Sequence, residues 1–94
     1  MSSERESSRH YVYLLTCSDG TIYGGYTTDL KRRLRQHNDG RGAKYTRSRR
    51  PVTLSYVEET DSRSQGLKRE YALKRLPRRE KLRLIKEYQL RHGK

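Results

Sequence analysis

The chain is poor in the residues that build or brace a large interior. It has a single cysteine, Cys17, so neither an intramolecular disulfide nor a cysteine-rich zinc cluster can form. Tryptophan and phenylalanine are absent, only 30% of the 94 residues are hydrophobic, and the aromatic content is eight tyrosines. A buried tyrosine brings a hydroxyl that needs a partner, so one thin, partly polar core in one domain is expected. No apolar run approaches the roughly 20 residues of a membrane span, and the polar, charged start carries no secretory signal. The expectation is an intracellular protein, cytoplasmic or nuclear according to the organism, with no membrane partner.

Acid is scarce too. Lys and Arg total 23 against 11 Asp and Glu, a formal charge of +12. Solubility alone asks for a net charge of about 2 to 8 in a small domain. The surplus therefore points to a polyanion, whose phosphates release counterions when they are neutralised. DNA is the first candidate partner and RNA the second.

Residues 1–9 are rich in Ser, Glu and Arg without periodicity and read as a disordered lead-in to a domain over residues 10–92. Tyr11 to Thr16 and Thr21 to Thr27 are β-prone runs around Ser18-Asp19-Gly20, a hairpin signal. Loop length decides which side chains share a face. A two-residue Asp-Gly turn would put Tyr13 and Tyr23 on opposite faces. A three-residue loop ending in Gly20 pairs Leu15 with Tyr23 and Tyr13 with Gly25, and both tyrosines then share one face. The second register is preferred, because Gly25 opposite Tyr13 would leave room for a backbone or phosphate to approach.

Thr27-Thr28-Asp29 supplies an N-cap for a helix over Leu30 to Asn38 that stops at Gly40. Leu30 and Leu34 mark its buried stripe, with Arg33 and His37 stacked one turn apart on the same side. Gly42 to Arg50 reads as a loop in which Lys44, Tyr45 and Arg47 suit phosphate contact and base stacking. A third strand follows over Val52 to Glu58. Ser62 and Gln65 have the spacing of a capping box, and Leu67 and Tyr71 mark one face of the helix they open. Glu70 and Lys74 fall on that face, where a carboxylate needs a cation or an ion pair. Pro77 breaks the pattern, and Arg78 to Leu90 forms a last helix with Leu82, Ile85 and Tyr88 or Gln89 inward. His10 and His92, near the chain ends, have no evident partner.

From Tyr11-Val12-Tyr13 through the Cys-Ser-Asp-Gly turn to Tyr23-Gly24-Gly25, the sequence resembles the GIY-YIG nuclease family, in particular its small stand-alone members. The resemblance continues through Thr28-Asp29-Leu30, Arg33-Leu34 and His37, the Gly42 to Arg47 segment and Glu70. It implies an α/β (α+β) fold, a three-stranded antiparallel sheet flanked by about three helices, and phosphodiester cleavage assisted by one divalent ion, Mg²⁺ or Mn²⁺. Carried over by position, Tyr13, Tyr23, Arg33 and His37 are the catalytic residues and Glu70 the metal ligand. Gly25, Lys44, Tyr45 and Arg47 are expected to position substrate. Two departures stand out: Gly24 replaces a bulkier residue, which should loosen the edge, and Tyr26 follows Gly25 where a small, aliphatic or basic residue is usual.

In the expected chemistry Tyr23 acts as base toward water, His37 relays its proton and Arg33 grips the non-bridging oxygens. Tyr13 would orient water or phosphate. The expected products are 5′-phosphate and 3′-hydroxyl ends on DNA, with low sequence specificity and a single-stranded or structured substrate. Two alternatives stay open, a non-catalytic nucleic-acid-binding module and an adaptor for an acidic protein.

Overall fold

The computed structural model describes residues 9–92, so the expected lead-in lies outside the described residues except for Arg9. Three strands, β1 (His10–Thr16), β2 (Ile22–Thr27) and β3 (Thr53–Thr60), form an antiparallel sheet in the order β2-β1-β3. Among the described residues four helices pack with it: α1 (Leu30–Asn38), α2 (Lys44–Arg47), α3 (Arg63–Arg75) and α4 (Arg78–His92). The short α2 lies where a plain loop was expected, and β3 runs two residues further than the pattern suggested.

The hairpin adopts the three-residue register. Tyr13 pairs with Gly25 and Leu15 with Tyr23, and Gly20 takes the positive φ of +86° that ends such a loop. Asp19 braces the turn by accepting from the Thr21 backbone N–H at 3.1 Å and from its hydroxyl at 2.6 Å. Alternation then splits the side chains of β1. Val12 and Leu14 pack with Tyr56 of β3, Leu73 of α3 and Ile85 of α4. Tyr13, Leu15 and Cys17 face the other way, against Val52, Tyr23 and the α1 leucines Leu30 and Leu34. The sheet thus carries α3 and α4 on one face and α1 on the other.

Helix starts follow local chemistry. Asp29 caps α1 by accepting the Arg32 N–H at 3.1 Å, and Ser62 caps α3 by accepting the Gln65 N–H at 3.1 Å. The interior of α3 differs from expectation. Gly66 and Leu73 are buried, whereas Leu67 and Tyr71 are 39% and 64% exposed. With few apolar residues in the helix, two outward ones were enough to misplace the stripe. In α4 the inward residues are Leu84, Ile85 and Tyr88, while Leu82 is exposed.

Both departures in β2 are accommodated by α3. The methylenes of Lys74 lie over Gly24, with Cγ 3.3 Å from where a Cβ would stand, so the glycine face is covered. Tyr26 fits because Gly66 faces it; a Cβ on Gly66 would come within 2.6 Å of the ring. The Tyr26 hydroxyl also lies 2.7 Å from Nδ1 of His10, which therefore has a partner after all, as does His92 with its ring against Tyr88.

Two polar ties hold the layers. Arg69 of α3 donates to both carboxylate oxygens of Glu58 at 2.7 and 2.9 Å, and the Tyr56 hydroxyl donates to the same carboxylate. Burial and then Glu58 push the Tyr56 hydroxyl up to about 12, so it remains a donor. Asn38 at the end of α1 bonds both the N–H and the carbonyl of Val52, at 2.7 and 3.0 Å, which fixes the segment leading into β3.

Candidate active site

The shared face of β1 and β2 meets α1 at His37, whose side chain is fully buried. Its Nε2 lies 3.0 Å from the Tyr13 hydroxyl and its Nδ1 2.9 Å from Oγ1 of Thr46 in α2. Thr46 in turn donates to the Ala43 carbonyl at 3.0 Å. If that donation uses the threonine proton, Thr46 Oγ1 accepts from Nδ1–H of His37 and Nε2 accepts the Tyr13 O–H; the Ala43 N–H, 3.5 Å from Nδ1, favours the other tautomer, in which Nε2–H donates to Tyr13. Burial, and secondarily the Arg33 charge, lower the imidazole to about 4, which keeps it neutral near pH 7. Burial raises the Tyr13 hydroxyl above its usual 10, with Arg33 opposing. A protonated tyrosine facing a neutral imidazole nitrogen is the result.

Glycines make this arrangement possible. A Cβ on Gly42 would run into the His37 ring, and one on Gly25 would strike the Tyr13 ring. The space over Gly25, expected to admit a phosphate, is therefore taken by Tyr13 itself. Tyr13 is 2% exposed.

Tyr23 is half-buried, with its ring edge-on to His37 at 5.4 Å and stacked on Tyr45 at 5.8 Å. Among the described residues its hydroxyl makes no hydrogen bond, so it can engage water or substrate. His37 bonds Tyr13 rather than Tyr23, a pairing that helical spacing does not reveal. Cations sit over the two stacked rings, Lys74 Nζ 5.4 Å from the Tyr23 centroid and Arg49 Cζ 4.0 Å from that of Tyr45. Arg49 is held by Asp19 at 3.0 Å and by the Tyr45 carbonyl at 2.8 Å, so the hairpin turn braces α2.

Arg33 of α1 and Glu70 both lie close enough to Tyr13 to act on its hydroxyl by charge. The Arg33 guanidinium donates to Oε1 of Gln36 at 3.0 Å, and among the described residues no carboxylate pairs with it. Glu70, 20% exposed, is bound by Lys74 at 3.1 Å. Tyr13, Tyr23, Arg33, His37, Tyr45 and Glu70 thus converge. Lys44 and Arg47 are exposed and make no described contact with the cluster; Arg47 lines a separate hollow with Asn38 and Pro51. Thr46 and Lys74 were missed as site members. Thr46 follows Tyr45 directly, a small signal, and Lys74 stood one turn from Glu70.

Comparison with known proteins accounts for this constellation. The GIY-YIG catalytic domain matches residues 9–83, most of the chain. The chain belongs to the GIY-YIG family. That family is of nuclease type and acts on nucleic acids, so its matched residues include the whole convergence described above. Among GIY-YIG relatives, a UPF0213 protein of Staphylococcus saprophyticus is 51% identical over 79 residues, covering 84% of this chain and 96% of that protein. A UPF0213 protein of Halobacterium salinarum is 57% identical over 72 residues, covering 77% and 94%. The fold is also similar to the solution NMR structure of a UPF0213 protein from Bacillus halodurans, with a TM-score of 0.54 and 46% identity over 83% of each chain. The solution NMR structure of a protein from E. faecalis gives 0.59 and 49%, over 89% of this chain and 90% of that one.

Proposed function

We propose that this GIY-YIG protein is a metal-dependent endonuclease that hydrolyses DNA phosphodiester bonds to 5′-phosphate and 3′-hydroxyl ends. The observation that carries the reading is the 3.0 Å hydrogen bond between Tyr13 and a neutral, buried His37 beside Arg33. A tyrosine can accept a proton from attacking water only if its own proton has somewhere to go, and in the tautomer protonated at Nδ1 His37 Nε2 offers that place. Burial first, and the Arg33 charge second, hold the imidazole down in the resting protein. A phosphate against Arg33 would offset that charge and make His37 a better acceptor when substrate is in place. Tyr13 with His37 behind it is therefore favoured over Tyr23 as the base, and Tyr23, with its hydroxyl available, would hold water or a non-bridging oxygen.

GIY-YIG nucleases generally use a divalent metal, and Glu70 suits one. Among the described residues there is no cluster of three acid, histidine or cysteine groups. A single carboxylate with water and phosphate oxygens making up the rest matches the habit of Mg²⁺ or Mn²⁺. When bound, such an ion supplies charge stabilisation to the phosphate and to the leaving oxygen. Lys74 would have to give up Glu70 to it.

A single-stranded or structured substrate fits the partly exposed Tyr23–Tyr45 pair with Lys74 and Arg49 beside it, a basic surface that can track a flexible strand. The test is cleavage of end-labelled single-stranded, branched and duplex DNA with Mg²⁺ or Mn²⁺. Wild type should cut, EDTA and Glu70→Gln should stop it, and Tyr13→Phe should slow it by about 10²–10⁴-fold. The Lys74–Glu70 pair is the one observation favouring a non-catalytic nucleic-acid-binding module. Binding without cleavage of any substrate would establish that second reading.

A further inference from the structure

Beyond the catalytic cluster, the end of β2 and the first turns of α1 and α3 enclose a hollow of about 350 Å³. Three guanidinium groups reach it, from Arg32, Arg33 and Arg63, against a single carboxylate, Asp29. That carboxylate is committed to capping α1 through the Arg32 N–H. Arg32 and Arg63 form no ion pair among the described residues. Three convergent cations with one engaged anion leave a site short of negative charge, and planar guanidinium forks suit phosphate oxygens. The volume is within the range of small-ligand sites.

Position gives the hollow its meaning. Arg33 is both a wall of this space and a cation acting on Tyr13, so the hollow adjoins the reacting centre through that one residue. Gln36 lines it as well and holds the Arg33 guanidinium at 3.0 Å on the shared border. Thr28 lines it too, while the Thr27 hydroxyl is engaged with the Asp29 backbone at 3.0 and 3.3 Å.

We propose that this hollow is a subsite for the nucleotide next to the scissile bond, with Arg32 and Arg63 gripping its phosphate while Arg33 serves the scissile one. The inference rests on the nuclease reading. It assigns to Arg32, which the helical pattern leaves on the solvent side, a positioning part in substrate binding. A strand phosphate is the ligand, because on the nuclease reading the polynucleotide held at Arg33 presents its next phosphate one nucleotide away.

The experiment is an amide NMR titration of the full chain in EDTA with a thymidine tetranucleotide, thymidine 5′-monophosphate and inorganic phosphate, alongside steady-state cleavage with Mg²⁺. The tetranucleotide should shift the Thr28, Arg32 and Gln36 amides saturably, and far more tightly than the two small anions. R32Q/R63Q should weaken this binding at least 10-fold and raise KM with kcat within about 2-fold. R79Q/K86Q, which removes two exposed charges from α4, should weaken it much less. If the double variants behave alike, or the hollow's amides stay silent while wild type still cleaves, the subsite is wrong and the nuclease stands. Monophosphate binding as tight as the tetranucleotide overturns the strand assignment. Shifts in the hollow without cleavage of any substrate overturn the nuclease reading, and with it the substrate subsite.

Discussion

His37 shows how burial becomes a chemical property at the scale of one residue. Its ordinary value is 6.5 and in the fold it is about 4, so between these pH values the unfolded chain binds a proton that the folded chain refuses. The associated stability is present in full above pH 6.5 and is lost as pH falls toward 4, on the order of 3 kcal/mol across the window. Urea midpoints measured at pH 7.5 and 5 should drop accordingly for wild type and lose most of that slope in His37→Gln. Lys74 is the other residue with a direct consequence. Its ammonium neutralises Glu70, while its stem covers Gly24. Lys74→Met keeps the stem and removes the charge, so Mn²⁺ affinity, read by electron paramagnetic resonance, should rise about 3-fold, in line with a partly exposed ion pair. Glu70→Gln should remove that binding altogether.

Between elements, the contact of β2 with α3 depends on a large residue matched to a missing one. Tyr26 occupies the space that a side chain on Gly66 would need, and His10 satisfies its hydroxyl. Alanine is the better helix former by about 1 kcal/mol, yet here it would meet Tyr26 at 2.6 Å and Thr60 Oγ1 at 3.1 Å. Gly66→Ala should therefore destabilise the protein by about 1–3 kcal/mol, the usual cost of overpacking. Chemical denaturation of the double variant with Tyr26→Ala should recover part of that loss, and simple additivity of the two changes would show the contact to be unimportant. The Arg69–Glu58 pair joins α3 to β3 in a comparable way, since burial disfavours the Glu58 carboxylate but Arg69 and Tyr56 together hold it below the usual range.

For the molecule as a whole, charge is the governing quantity. Part of the +12 surplus gathers at the site, with Arg33, Arg49 and Lys74 at the tyrosines and Arg32 and Arg63 at the adjoining hollow. Binding of a single strand through about five phosphates should weaken roughly 100-fold between 50 and 200 mM salt. Fluorescence anisotropy over that range checks it, and a flat response would mean that recognition does not run through phosphate contacts. No helix among the described residues is long and apolar enough to cross a membrane.

Features set by neighbours in the chain were legible before any coordinates. The Ser18-Asp19-Gly20 loop, the Asp29 and Ser62 caps and the span of α1 depend on local backbone chemistry, and two-residue alternation then places Tyr13 and Tyr23 on one face. The Arg33 and His37 spacing likewise brought both to the inner side of α1. Hydrogen-bond partners were not legible, because they join residues 24 and 9 positions apart whose approach depends on how α1 and α2 pack. Only tertiary packing decided that His37 serves Tyr13 and rests on Thr46, that Tyr13 fills the space over Gly25, and that Lys74, already one turn from Glu70, also covers Gly24 and reaches the Tyr23 ring. The stripe of α3 belongs with these, since a helix with so few apolar residues takes its inward face from the surface it meets, and Gly66 is buried because Tyr26 is large.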